Sequence, residues 1–145
     1  LILIACGIQD PGNLGTLIRS CEASGAAGLV SLEGTADAHN AKVVRSTAAA
    51  LLTLPIVRLK GEAFLKRAKA KSLRLVAAAA EGGEAYKKFD WSKRPLALCI
   101  GSEGEGLPPE IDAACKEKVS IPMHGKAESL NAAVAASILL FEAQA

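Results

Sequence analysis

One loop of this chain combines glycines with acidic side chains in a pattern suited to binding a small molecule. Residues 101–106 read GSEGEG and place Glu103 and Glu105 among three glycines. The loop directly follows Leu96–Ile100, an apolar run that is typical of a buried parallel strand. Ligands of open α/β sheets bind just beyond the carboxyl ends of the strands. We therefore predict a ligand site at this loop.

A second candidate site lies near the start of the chain. Residues 7–12 read GIQDPG, a predicted turn after an apolar strand at residues 1–6. Asn13 is the predicted N-cap of the helix that follows, and Gly25 is its predicted end. Arg19 lies on this helix, one step from its apolar stripe.

Several well-known site types do not fit this sequence. Neither glycine loop continues as Gly-Lys-Ser/Thr, so a P-loop is excluded, and no G-x-S-x-G elbow is present. His39 and His124 are isolated and no cysteines pair closely, so no metal is expected. A dinucleotide-binding site remains an alternative, because Gly12 and Gly15 open a helix and Glu33 follows about 20 residues later. The G-x-G-x-x-G spacing of such sites is missing, however.

Length and composition indicate one globular domain over residues 1–145. Half of the residues are hydrophobic and 22% are charged, which excludes a disordered chain. Aromatic residues make up only 3%, which favours helices packed on a parallel sheet over a β-sandwich. Four cysteines without a C-x-x-C pair predict buried free thiols in a reducing cytoplasm. No apolar segment reaches the length of a membrane span.

The pattern along the chain alternates strands and helices. Strands are predicted at residues 1–6, 28–32, 55–59, 73–79, 96–100 and 119–121, and helices at 13–25, 40–52, 61–71, from 108, and from 129 or 130 to the end. This alternation predicts an α/β fold. The last helix is apolar nearly all round, so we expect it to be buried in the core or against another subunit or domain.

Positive charge is concentrated in the middle of the chain. Residues 58–94 contain eleven Lys and Arg against four acids, although the whole chain has a net charge of only +2. Such an excess is typical of a surface that binds a polyanion, and the alternative is a solvated helix face. Leu1 begins the sequence inside an apolar run without an initiator methionine. From this we expect a preceding domain.

Three segments together resemble the motifs of the SpoU (TrmH-type) RNA 2′-O-methyltransferases of the SPOUT superfamily. They occur in the family's order and span nearly the whole chain: Asn13-Leu14-Gly15 with Arg19 and Ser20, residues 101–107, and Ile121-Pro122-Met123 with Ser129-Leu130-Asn131. The resemblance implies a parallel sheet with helices on both faces and a deep C-terminal trefoil knot, an exception to the usual absence of knots. It also implies a cytoplasmic homodimer, a bent S-adenosyl-L-methionine held in the knot, and in many members an N-terminal RNA-binding domain.

The implied reaction is methylation of a ribose 2′-hydroxyl in ribosomal or transfer RNA. Residues 42–57 look more like the ribosomal-RNA members. The alternative is a knotted RNA-binding domain that has lost the methyltransferase activity.

The resemblance assigns roles to individual residues. The implied catalytic residues are Asn13, Arg19, Glu103, Ser129 and Asn131, and the implied RNA contacts are Arg19, Lys42 and Arg45. The implied cofactor contacts are Leu98, Ile100, Gly101, Glu103, Gly106, Ile121, Met123, Leu130 and Ala132.

Arginine stays protonated in proteins, so Arg19 is expected to clamp a phosphate and stabilise the developing 2′-alkoxide. Glu103 is either solvated or paired with Arg19, the equivalent arginine of a partner subunit, or Asn13. Ser129 and Asn131 either cap the last helix or orient the loop and Arg19.

Overall fold

The computed structural model describes residues 1–47 and 49–145. Within these residues, seven strands form one sheet: β1 (Ile2–Ala5), β2 (Leu29–Leu32), β3 (Ile56–Leu59), β4 (Arg74–Ala79), β5 (Glu84–Ala85), β6 (Leu96–Ile100) and β7 (Glu117–Ser120). Their order across the sheet is β3-β2-β1-β6-β4-β7-β5, and each neighbouring pair is parallel. The predicted parallel α/β sheet is therefore confirmed.

In the described part of the chain, five α-helices cover the two faces of the sheet. They are α1 (Pro11–Ala23), α2 (Ala41–Ser46), α3 (Gly61–Ala70), α4 (Pro109–Ala114) and α5 (Ala132–Glu142). The buried residues of α1, α2 and α5 belong to one core cluster, and those of α3 and α4 belong to a second. Because side chains alternate along a strand, β6 sends Leu98 into the first core and Cys99 into the second.

The start of α1 differs from the prediction. Asp10, rather than Asn13, is the N-cap, and its Oδ2 accepts a hydrogen bond from the backbone N–H of Asn13 at 2.8 Å. Pro11 occupies the first helical position, where its missing N–H costs nothing, so the helix begins two residues before Asn13. Gly25 follows the helix end with φ +75°, as expected of a residue that terminates a helix.

Two further details were not predicted correctly. The single helix expected over residues 40–52 is instead α2, with Asn40 as its N-cap, followed by a 3₁₀ turn at Ala50–Leu52. Ala48, within that predicted helix, lies outside the described residues. The strand β5 is missing from the prediction because two residues are too few to show an alternating pattern.

The structure confirms that all four cysteines are buried free thiols. Burial raises the pKa of Cys6 and of Cys21 to about 12, so both thiols stay protonated at neutral pH. None of the helices among residues 1–47 and 49–145 has the length and hydrophobicity that a membrane crossing needs.

Candidate functional site

A cavity of about 190 Å³ opens at the carboxyl ends of β4, β6 and β7. Three chain segments and the first turns of α5 enclose it. The lining residues are Ala78, Ala79, Ala80, Ile100, Gly101, Ser102, Glu103, Gly106, Leu107, Ile121, Met123, Glu128, Ser129, Leu130, Ala132, Ala135 and Leu139. The cavity therefore lies where the glycine loop after β6 predicted a ligand site.

The glycine loop forms one wall as a tight hairpin. Ser102 and Gly106 exchange backbone hydrogen bonds at 3.2 and 2.9 Å. Gly106 has φ +69°, which favours glycine. A Cβ on Gly101 would overlap the backbone of Gly106 and lie 2.5 Å from the amide nitrogen of Leu107. Glycine at position 101 thus permits the hairpin to close against its own strand.

Glu103, Asn131 and Asn13 meet in a hydrogen-bond network at the edge of the cavity. The Nδ2 group of Asn131 donates to Glu103 Oε1 at 2.6 Å and to Asn13 Oδ1 at 3.0 Å. The backbone N–H of Ala132 also donates to Glu103 Oε1, at 3.2 Å. Three residues that are up to 118 positions apart in the sequence are therefore held together by one amide group.

Asn131 is also the N-cap of α5. Its Oδ1 accepts hydrogen bonds from the backbone N–H groups of Ala133 and Val134 at 3.0 and 3.2 Å. Asn131 therefore caps α5 and also contacts the glycine loop through Glu103, whereas no contact with Arg19, the other part of the second predicted role, is found among residues 1–47 and 49–145. Because its oxygen and both amide hydrogens have partners, the amide can be oriented in only one way.

Arg19 is not part of this network. It is exposed on α1, and within residues 1–47 and 49–145 no hydrogen bond or ion pair of its side chain is found. Glu103 contacts Asn131 rather than Arg19, and it reaches Asn13 only through Asn131. Ser129 lines the cavity but does not cap α5, since the capping side chain is that of Asn131.

The other predicted site residues divide by their position in the fold. Ile100, Gly101, Gly106, Ile121, Met123, Leu130 and Ala132 all line the cavity. Leu98 does not: it is fully buried in the core, two residues before the carboxyl end of β6. Lys42 and Arg45 are exposed on α2.

The sequence reasoning missed the wall formed by residues 78–80 and the contributions of Glu128, Ala135 and Leu139. The wall at residues 78–80 could have been predicted from the alanine run at the carboxyl end of the predicted strand, since ligands bind at that edge of a parallel sheet. In the described part of the chain, no group of three or more His, Cys, Asp or Glu residues is arranged to hold a metal ion.

The sequence matches the SpoU rRNA Methylase family over residues 1–141. It is 39% identical over 144 residues to the 23S rRNA (guanosine(2553)-2′-O)-methyltransferase RlmP of Bacillus subtilis (strain 168), covering 97% of this chain and 56% of that protein. It is 41% identical over 140 residues to the 23S rRNA (uridine(2479)-2′-O)-methyltransferase of Streptomyces viridochromogenes, covering 92% of this chain and 48% of that protein. The chain thus spans about half the length of these relatives.

Solved structures share the fold. The SpoU methyltransferase AviRb from Streptomyces viridochromogenes, in complex with AdoMet, superposes with a TM-score of 0.93 at 37% identity. The match covers 99% of this chain and 56% of that one. An AdoMet-bound rRNA methyltransferase from Sinorhizobium meliloti superposes with a TM-score of 0.91 at 36% identity, covering 98% of this chain and 54% of the other.

Proposed function

Because this chain belongs to the SpoU rRNA Methylase family, we propose that it is the catalytic domain of an S-adenosyl-L-methionine-dependent RNA ribose 2′-O-methyltransferase. The observation that carries the proposal is the Asn13–Asn131–Glu103 network beside a cavity closed by a glycine hairpin. The proposed substrate is ribosomal rather than transfer RNA. The names of the relatives from Bacillus subtilis and Streptomyces viridochromogenes, both specifying 23S rRNA, support this choice.

The cavity has the chemistry that S-adenosyl-L-methionine requires. Its walls combine apolar side chains with peptide groups of the tight hairpin, so an adenine ring can pack and form hydrogen bonds with little side-chain bulk in the way. The proposed contacts are Ile100, Gly101, Glu103, Gly106, Ile121, Met123, Leu130 and Ala132, with Leu98 supporting the wall from the core. When bound, the cofactor supplies an electrophilic methyl group on its sulfonium.

The chain's own residues would orient the ribose and handle its proton. Arg19 clamps a phosphate next to the target ribose and stabilises the negative charge that develops on the 2′-oxygen. The proton of the 2′-hydroxyl passes to a phosphate oxygen or to water, since a guanidinium stays protonated. Glu103, Asn13 and Asn131 hold the hairpin, α1 and α5 in fixed positions, with Ser129 beside them on the cavity wall. Positioning then supplies much of the rate.

We also propose that the protein is a homodimer. The outer face of α5 carries Val134, Ile138 and Phe141 at helical spacing, and Val134 and Phe141 are 46% and 54% exposed. A second copy would cover this apolar stripe. Ser20 of α1 and Ser137 of α5 share a hydrogen bond of 2.7 Å, so Arg19 lies next to the α1–α5 contact. Sedimentation equilibrium tests the dimer directly.

Three further features are proposed on the same basis. The C-terminal part would form the deep trefoil knot, which agrees with α4 and α5 lying on opposite faces although only residues 115–131, which include β7, connect them. RNA recognition would include an N-terminal RNA-binding domain, which agrees with relatives about twice as long. The protein would act in the cytoplasm, where its four free cysteines stay reduced.

The experiment measures two properties of the same protein. Isothermal titration measures the affinity for S-adenosyl-L-methionine, and transfer of a tritiated methyl group into unmodified ribosomal RNA measures the reaction. Arg19→Ala should abolish transfer while the cofactor affinity changes by no more than a few fold. Lys116→Ala, at an exposed cation between α4 and β7 and outside the basic residues 58–94, is the control and should retain normal transfer. Cofactor binding without transfer by the full-length protein would instead support a knotted RNA-binding domain without activity.

A further inference from the structure

Gly15 lies where α1 and α2 come into contact. It is buried in the second turn of α1. A Cβ at this position would overlap Ser46 Oγ and lie 2.7 Å from Ser46 Cβ and 3.4 Å from the carbonyl oxygen of Val43. The contact at 2.7 Å is already closer than non-bonded carbon atoms approach, so any side chain at position 15 would push α2 outward.

The helix α2 has little else to hold it in place. It contains six residues, and a helix this short is not stable by itself in water. Val43 is its single fully buried side chain. The hydroxyl of Ser46 already donates a hydrogen bond within α2, to the carbonyl oxygen of Val43 at 2.8 Å. The distance between the two helices therefore depends directly on the size of residue 15.

The two helices carry different parts of the proposed machinery. Two residues before Gly15, Asn13 on α1 joins the hydrogen-bond network at the cavity. On α2, Lys42 and Arg45 are exposed and are the proposed RNA contacts. The packing at Gly15 thus sets how far these cations lie from the reaction site.

We propose that Gly15 is a positioning residue for the RNA substrate: it lets α2 dock closely enough on α1 to place Lys42 and Arg45 at the correct distance from the reacting ribose. This inference rests on the proposed RNA methyltransferase function. It predicts that enlarging residue 15 impairs RNA binding and leaves cofactor binding intact, because Gly15 does not line the cavity. A general loss of stability would instead weaken the binding of RNA and of S-adenosyl-L-methionine together.

The test uses Gly15→Ala, the double variant Gly15→Ala/Ser46→Gly, and Thr16→Ala as a control on the exposed side of α1. The probes are 23S ribosomal RNA transcribed in vitro and S-adenosyl-L-methionine. Gly15→Ala should raise the KM for RNA and weaken RNA retention on filters about tenfold or more, with cofactor affinity within twofold of the wild type. Ser46→Gly removes both overlapping atoms, so the double variant should recover most of the RNA affinity. Thr16→Ala should behave like the wild type.

An unchanged RNA affinity in Gly15→Ala, or a loss that the Ser46→Gly change does not reverse, would overturn the proposal. If Gly15→Ala does not fold, Ser46→Leu enlarges the same contact from the α2 side and should give the same selective loss of RNA binding. Normal RNA binding by folded Ser46→Leu would equally overturn it. If the proposed methyltransferase function is wrong, the wild-type protein will transfer no methyl group to RNA. Filter retention still measures RNA binding in that case, so the role of Gly15 can be tested separately.

Discussion

Replacing Asn131 with aspartate separates its two roles. Aspartate is as good an N-cap as asparagine, so α5 keeps its hydrogen bonds to the backbone N–H groups of Ala133 and Val134. The Nδ2 donor is lost, however, and a carboxylate oxygen takes its place 2.6 Å from Glu103 Oε1 and 3.0 Å from Asn13 Oδ1. The substitution therefore converts two attractive contacts into repulsive ones at an intact helix start.

The magnitude follows from these contacts. A hydrogen bond to a charged acceptor contributes about 1.5–3 kcal/mol. Two carboxylates about 3 Å apart repel each other by about 1.4 kcal/mol in a water-like dielectric, which applies because Glu103 and Asn131 are both exposed. A total of about 3–4 kcal/mol, if it is lost from the transition state, lowers the rate of methyl transfer about 10²- to 10³-fold.

The assay compares Asn131→Asp with Asn131→Ala. Both should lose methyl transfer, the alanine variant about tenfold less because it adds no charge repulsion. Only the alanine variant loses the cap, which by itself lowers the free energy of unfolding by about 1 kcal/mol and Tm by about 2–4 °C. The double variant Asn131→Asp/Glu103→Gln exchanges donor and acceptor and should recover part of the activity. Near-normal transfer by Asn131→Asp would refute the view that the network holds the reactive geometry.

Three other substitutions test separate features. Gly101→Ala should abolish cofactor binding in isothermal titration while the protein stays folded by circular dichroism, since a Cβ there would overlap the backbone of Gly106; unchanged affinity would contradict the proposed cofactor wall. Ser31→Ala should raise the free energy of unfolding by up to about 1 kcal/mol in urea titrations, because Ser31 Oγ is buried and has no hydrogen-bond partner among residues 1–47 and 49–145. A clear loss of stability would show instead that this hydroxyl forms a hydrogen bond in solution. Arg74 donates two hydrogen bonds to Glu117, at 2.5 and 2.6 Å, which lowers the pKa of that carboxyl group. Glu117→Gln should therefore cost about 1 kcal/mol above the ordinary carboxyl pKa, and this difference from the wild type should vanish as the pH falls through the lowered pKa; a difference independent of pH would exclude the ion pair as its cause.

The sequence predicted the strands well where burial determines the residue types. The bounds of β6 were predicted correctly because all five of its residues are buried, and a strand covered on both faces is apolar throughout. Element ends were less predictable. Both Asp10 and Asn13 are good N-caps, and the local signal that favours Asp10 is Pro11, which follows it and suits the first helical position. The turn after α2 has no periodic pattern, and Ala49 there adopts φ +70°, which local sequence preferences do not favour.

The site could be predicted in its parts but not in its connections. Glycines after a buried strand marked the cavity, and resemblance to the family selected Asn13, Glu103 and Asn131. Their mutual hydrogen bonds depend on the order β1-β6-β4-β7, which brings the loops after β1, β6 and β7 to one edge of the sheet. No local pattern encodes that order. For the same reason the sequence left open whether Glu103 pairs with Asn13 or with Arg19.

The helix α5 takes part in three features of the proposed enzyme. Its N-cap Asn131 closes the network, its residues Ala132, Ala135 and Leu139 form part of the cavity wall, and its outer residues Val134 and Phe141 form the proposed dimer surface. Eleven helical residues span about 16 Å, so a rigid helix joins the cavity edge to the far end of that surface. A second subunit that packs on the outer stripe would restrict the movement of α5 and hence of Asn131. Since Arg19 lies next to the α1–α5 contact rather than within the cavity network, the same packing would determine where this arginine acts. In the proposed enzyme, dimer assembly and active-site geometry thus depend on one helix.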